Sequence, residues 1–290
     1  MIRVTPSLLL VLLSVPASLP ASDRDVIAVS ATAVKVYVRA TDPAGRPLSE
    51  SYVLGEGHFF GGHTADRGLD RTTFADITKT LAGNLAKQNY FPAKSAEDAS
   101  LLLLVHWGTT EIYEDPQRDF NVAAAQAAAS AFSAAQSANG LADPTTLNFE
   151  LNALATAQAS VQGAINRNAV LLGYERNLMR ERREWAPTTA EITMSNELNE
   201  ERYFVIVLAY DRRTMTKEHK SKPLWITRLS IRSPGNNFTG ALPVLSQAGS
   251  EVFGRQVDEL IKVKVSDPRG TVTLRELEIR GVVPETPPAK

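Results

Sequence analysis

Residues 101–107 read LLLLVHW, four leucines and a valine without interruption, with Gly108 next. A run this short, with no polar side, suits a strand covered on both faces. Residues 203–210 (YFVIVLAY) form a second such run. Two buried strands need covering layers, and the chain supplies amphipathic segments for them. The expectation is an α+β fold: a mixed sheet with two central apolar strands covered by amphipathic helices, plus an inserted alanine-rich antiparallel helical hairpin.

The other elements follow from periodicity and turn chemistry. Residues 34–39 (VKVYVR) alternate apolar and polar, as a strand with one wet face should. Asp42-Pro43-Ala44-Gly45 signals a turn. Residues 51–54 (SYVL) make a short strand that runs into the glycine-rich loop GEGHFFGGH at 55–63. Phe74, Ile77, Leu81 and Leu85 put one apolar face on a helix over 70–89, opened by a capping box of Thr73 and Asp76. Strand 203–210 and strand 225–232 make a hairpin, with Trp225, Thr227, Leu229 and Ile231 on one face. A helix is expected over 245–261 and a last strand over 271–280.

Between about residues 119 and 184 the chain changes character. Residues 121–138 are alanine-rich. Leu147, Leu151, Leu154, Val161, Ile165, Leu172 and Met179 then fall on a four-three alternation, broken by Gln158, Asn168 and Glu175. Small residues let two backbones approach, so this reads as an antiparallel hairpin of coiled-coil type. No repeat and no linker divides the remainder. The domain reading is a signal peptide over 1–21, one α+β domain over 22–281 containing the insertion 119–184, and a flexible tail over 282–290.

The beginning of the chain supplies an address. Arg3 precedes the short apolar run at 8–15, and small residues with two prolines follow. That order marks a cleaved secretory signal, and the run is too short to span a bilayer. The sequence contains no cysteine, which excludes thiolate chemistry and fits a bacterial periplasmic or secreted protein. A net charge of −1 gives no support to nucleic-acid binding.

No motif calls for a cofactor, a metal or a catalytic residue. The glycines at 55, 57, 61 and 62 have neither the spacing of a phosphate loop nor a helix following directly. His58 and His63 share that loop, and its folding over the central strand would bring them to His106 and Glu111. Their spacing matches no zinc family, however. There is no G-x-S-x-G elbow. Arg212, Arg213, Lys217, Lys220 and Lys222 read as a solvated hairpin tip. The candidate binding rim is therefore the aromatic and polar surround of the strand exit: His58, Phe59, Phe60, His63, His106, Trp107, Thr109, Thr110 and Glu111.

The stretches GEGHFFGG, LDRTTFADI, NYFPA, HWGTT and AYDRR together resemble an uncharacterised family of exported bacterial proteins. More loosely, the order of elements looks like small envelope lipoprotein domains of unknown function, although the cysteine to be lipidated is missing. The resemblance implies an envelope location and a compact α/β domain, and it brings no catalytic residues. The function expected is a non-enzymatic cell-envelope binding or structural protein. Its partner would be an envelope protein or a second copy meeting the hairpin, with no nucleic acid and no transmembrane span after cleavage. The alternative is a hydrolase or small-ligand protein with a site at the C-terminal ends of strands 101–107 and 203–210.

Overall fold

The computed structural model describes residues 26–62, 64, 66–113, 118–139, 145–218 and 221–265. The signal peptide expected at 1–21, the strand expected at 271–280 and the tail expected at 282–290 lie outside them. The strands among the described residues are β1 (Val26–Ala33), β2 (Glu50–Phe60), β3 (Tyr90–Pro92), β4 (Leu101–Thr109), β5 (Arg202–Asp211), β6 (Pro223–Arg232) and β7 (Ile261–Lys264). They form one mixed sheet in the order β3-β2-β4-β5-β6-β1-β7. β2 is parallel to β3 and β4, and every other pairing is antiparallel. The fold is α+β, and the two apolar runs lie side by side as β4 and β5.

Each face of this sheet has its own core. On the first, Leu101, Leu103, Val105 and Trp107 of β4 join Tyr203, Val205 and Val207 of β5. They are covered by α1 (Arg67–Arg71), α2 (Phe74–Ala86) and a later helix over 238–249. On the second, Phe204 and Ile206 meet Ala28 and a helical layer. That layer is built from residues of α4 (Thr145–Leu172), α5 (Glu175–Glu181) and α6 (Thr189–Leu198). β5 is thus buried on both faces from Arg202 to Val207. β4 is not: Leu102, Leu104 and His106 on the second face stay half-buried. The expectation of full cover on both sides holds for one run and only half of the other.

Several local expectations shift for physical reasons. The first strand is Val26–Ala33, between β6 and β7, and not residues 34–39. Val36 and Val38 are 73% and 83% exposed, and the alternation there serves tethering instead. The Tyr37 hydroxyl donates to Glu50 (2.6 Å), and Arg39 lies over the Tyr90 ring and donates to the Leu48 and Gln88 carbonyls. Residues 55–60 of the glycine-rich stretch are the second half of strand β2 and not a loop. The helix expected at 70–89 is two helices, broken where the Thr73–Asp76 capping box starts α2. The helix expected at 245–261 begins earlier and stops sooner. After α7 (Arg212–Glu218), α8 spans Phe238–Gly249, capped by Asn237 Oδ1 accepting from the Gly240 amide (2.7 Å).

The inserted region divides unequally. α3 (Arg118–Asn139) has its extensive packing against α4. Neither α3 nor residues 145–160 of α4 contributes a described residue to either core. Ile165, Ala169 and Leu172 of α4, with Tyr174 and Leu178, are by contrast the floor of the second core. Asn168, a polar break in the apolar stripe, is buried and donates to the Glu111 carbonyl (2.8 Å) and the Leu198 carbonyl (3.0 Å). An insertion bounded at 184 therefore takes in residues that cover the sheet.

Asp66 ties three elements together. Its carboxylate caps α1 through the Gly68 amide (2.7 Å), and accepts from the Tyr203 hydroxyl (2.8 Å) and the Phe238 amide (2.7 Å). Burial alone would raise its pKa, but these bonds outweigh it and hold the carboxyl below the usual aspartate range.

Two outcomes follow. Leu103→Ala, at a side chain with no exposure, should cost about 2–5 kcal/mol in denaturant unfolding, and Leu102→Ala or Leu104→Ala distinctly less. Asp66→Asn places an N–H against one of the donors, which should cost about 1–3 kcal/mol at neutral pH. A depressed carboxylate stabilises above the unfolded pKa of about 3.9, and that contribution is lost as pH falls through the folded value. The gap in Tm between the two proteins should therefore close on acidification.

Candidate functional site

The residues of the candidate rim do not converge on one surface. Strand alternation sends Phe59 and Trp107 to the first face, their rings 5.7 Å apart, with Phe74 stacked at 6.1 Å from Trp107. It sends Phe60 and His106 to the second. Phe60 lies 5.4 Å from Phe204 of the second core and meets His58 edge-on at 4.4 Å. Thr109 and Thr110 are buried at 1% and 2%, and they close the sheet end. Thr110 accepts from the Arg202 amide (3.0 Å), and Thr109 donates to the Gly61 carbonyl (3.3 Å). Glu111 lies beyond the strand with its carbonyl engaged by Asn168. His63 lies outside the described residues.

The pair that the structure does assemble is His58 with His106. The register between β2 and β4 slips between Glu56 and Phe59, a bulge that leaves the His58 amide without a ladder partner. That amide donates to His106 Nδ1 at 2.8 Å, so the ring is neutral with its proton on Nε2. A Cβ on Gly57 would come within 2.7 Å of His106 Nδ1, and one on Gly55 within 2.7 Å of a Leu104 methyl. The glycines of β2 are thus the space into which the side chains of β4 lean. Desolvation, and then repulsion from His58, lowers the pKa of His106.

Together these residues leave an open strip on the second face. Val53, Leu102, Leu104, Leu208 and Tyr210 share that face by register, and all are half-buried. Histidine 106 closes the strip at one end.

The alternative site at the C-terminal ends of both apolar strands does not form. β4 and β5 run antiparallel, Leu101 opposite Asp211 and Thr109 opposite Tyr203, so those C-terminal ends lie at opposite ends of the strand pair. What periodicity could not show is exposure in the helical region. Phe149 is 70% exposed and Leu151 46%, both on the outer half of α4. Trp185, between α5 and α6, is 97% exposed, and its only signal in sequence is its place in the charged stretch RERREW.

Compared with known proteins, the chain matches no protein-family model and no curated protein.

The neutral His106 has a measurable consequence. Below about pH 6.5 the unfolded chain takes up this proton more readily than the folded one, so stability falls on acidification from there. An NMR titration should place the His106 midpoint below that value. His106→Gln, which keeps an acceptor for the His58 amide, should flatten the acid side of the Tm profile.

Proposed function

We propose that this chain is a non-enzymatic binding or structural protein of the bacterial cell envelope, periplasmic or secreted, which joins a second copy of itself through α3 and the outer half of α4. The observation that supports this most is the make-up of that arm. Ten of the 22 residues of α3 are alanine, which permits close backbone approach but buries little area between α3 and α4 alone. Residues 120–166 contain two acidic residues and no basic one. A charged polymer or lipid surface would find almost nothing to recognise there, whereas a like surface needs no charge complement. Phe149 and Leu151 supply exposed apolar side chains on the same segment.

The address rests on the leader-like residues 1–21, the lack of cysteine and the resemblance to exported bacterial proteins. No helix among the described residues is long and apolar enough to cross a membrane.

Sedimentation velocity over a concentration series tests the association. The chain should populate a dimer as concentration rises. Phe149→Asp or Leu151→Asp should return it to monomer while keeping a cooperative thermal transition, because both side chains lie outside the two cores. A chain that stays monomeric at every concentration would overturn the reading.

A further inference from the structure

A cavity of about 180 Å3 lies where the α4–α5 turn meets the edge of the β1–β6 pair. It is independent of the arm and of the open strip. Its floor is Arg228 of β6, opposite Ser30 of β1 in register, with Thr32 beside it. Its wall is Gly173 and Asn177. Gly173 adopts a φ of +79°, and a Cβ there would sit 2.4 Å from the Ser30 hydroxyl and 3.0 Å from Arg228 Cδ. Only glycine lets the turn come down onto the sheet this closely.

The polar groups facing the cavity are unusual in lacking partners. Arg228 Nη1 donates to Thr32 Oγ1 at 3.3 Å. Among the described residues no carboxylate lies within ion-pairing distance of that guanidinium. Burial pulls its pKa down, against the attraction of Glu175, so it is a poorly hydrated cation. The Ser30 hydroxyl and the amide of Asn177, a buried residue, have no hydrogen-bond partner among the described residues. A guanidinium without a carboxylate partner, together with an amide and a hydroxyl that have no hydrogen-bond partner among the described residues, forms a donor set for a carboxylate.

The mouth is of opposite character. Glu175, Asp258 and Glu259 line it, with Glu259 shared with Arg180 (3.2 Å) and the exposed Arg176 alongside. A simple oxyanion would meet these acids unfavourably. A ligand with an ammonium group near its carboxylate satisfies both ends. Val170 and Val257 supply the apolar remainder of the wall. At about 30 Å3 per water, the recess displaces roughly six waters, which is the scale of a small aliphatic amino acid.

We propose that this cavity binds a small zwitterion of the free α-amino-acid class. Arg228, Asn177 and Ser30 hold the carboxylate, and the acids at the mouth hold the ammonium.

The test is an amide NMR titration of the chain with L-alanine and L-valine, with L-valinamide, acetate and sulfate as controls. Saturable shifts at Gly173 and Asn177 are expected with the amino acids. Binding should be at least about tenfold weaker with L-valinamide, which lacks the carboxylate, and with acetate, which lacks the ammonium. Arg228→Gln should weaken L-valine binding by about tenfold or more while keeping the cooperative thermal transition. Absence of saturable shifts at millimolar amino acid overturns the proposal, as does sulfate binding as tightly as L-valine. So does an Arg228→Gln protein that binds L-valine unchanged. Should that variant fail to fold, Asn177→Ala decides by the same criterion. Oligomeric state does not enter this readout, so its outcome is separate from that of the arm.

Discussion

The antiparallel pairing of β4 and β5 is the constraint on which the rest of the structure depends. It sets Leu101 opposite Asp211 and Thr109 opposite Tyr203. With that register in place, the odd residues of both strands face one core and the even residues the other. Tyr203, Val205 and Val207 then require α2 and α8, while Phe204 and Ile206 require α4, α5 and α6. A slip by one residue would exchange the two faces and leave both helical layers against the wrong side chains. Asp66 guards the register at one end, since its carboxylate joins Tyr203 to the first turns of α1 and α8.

The two faces are not finished to the same degree. On the first, every β4 side chain from Leu101 to Trp107 that points inward is buried. On the second, cover is complete over β5 but thins over β4 and β2, where Leu102, Leu104 and Val53 remain half-buried. The glycines of β2 compensate, because Leu104 and His106 can lie down across that strand. The inserted helices therefore do two jobs along their length. The second half of α4, with α5, completes the second core, and the first half of α4 carries Phe149 and Leu151 into solvent.

How much of this was legible depends on the kind of signal. The capping box of Thr73 and Asp76, the hairpin of β5 and β6, and the facing of Trp225, Thr227, Leu229 and Ile231 depend on neighbours in sequence, and each forms as its pattern predicts. The segment at 34–39 had a strand's alternation yet is no strand, because Tyr37 and Arg39 are spent on Glu50, Tyr90 and backbone carbonyls distant in the chain. The glycines at 55 and 57 suggested a loop. Only the presence of β4 alongside shows them to be strand positions kept small for a neighbour's side chains. His58 and His106 could be suspected of meeting, whereas the Arg228 cavity had no signature, since Ser30, Asn177 and Arg228 are far apart in the sequence.

By itself the sequence determined an α+β class, the two apolar strands at its centre and the presence of a charge-poor, alanine-rich helical region. These follow from hydrophobic period and residue propensity, which act over a few residues. Tertiary structure alone decided strand order, the antiparallel sense of the central pair and therefore the separation of their C-terminal ends. It also decided which half of the helical region is core and which donors are left unpaired in a recess. These depend on groups brought together across long stretches of chain, and no local pattern records which distant backbone will supply the missing partner.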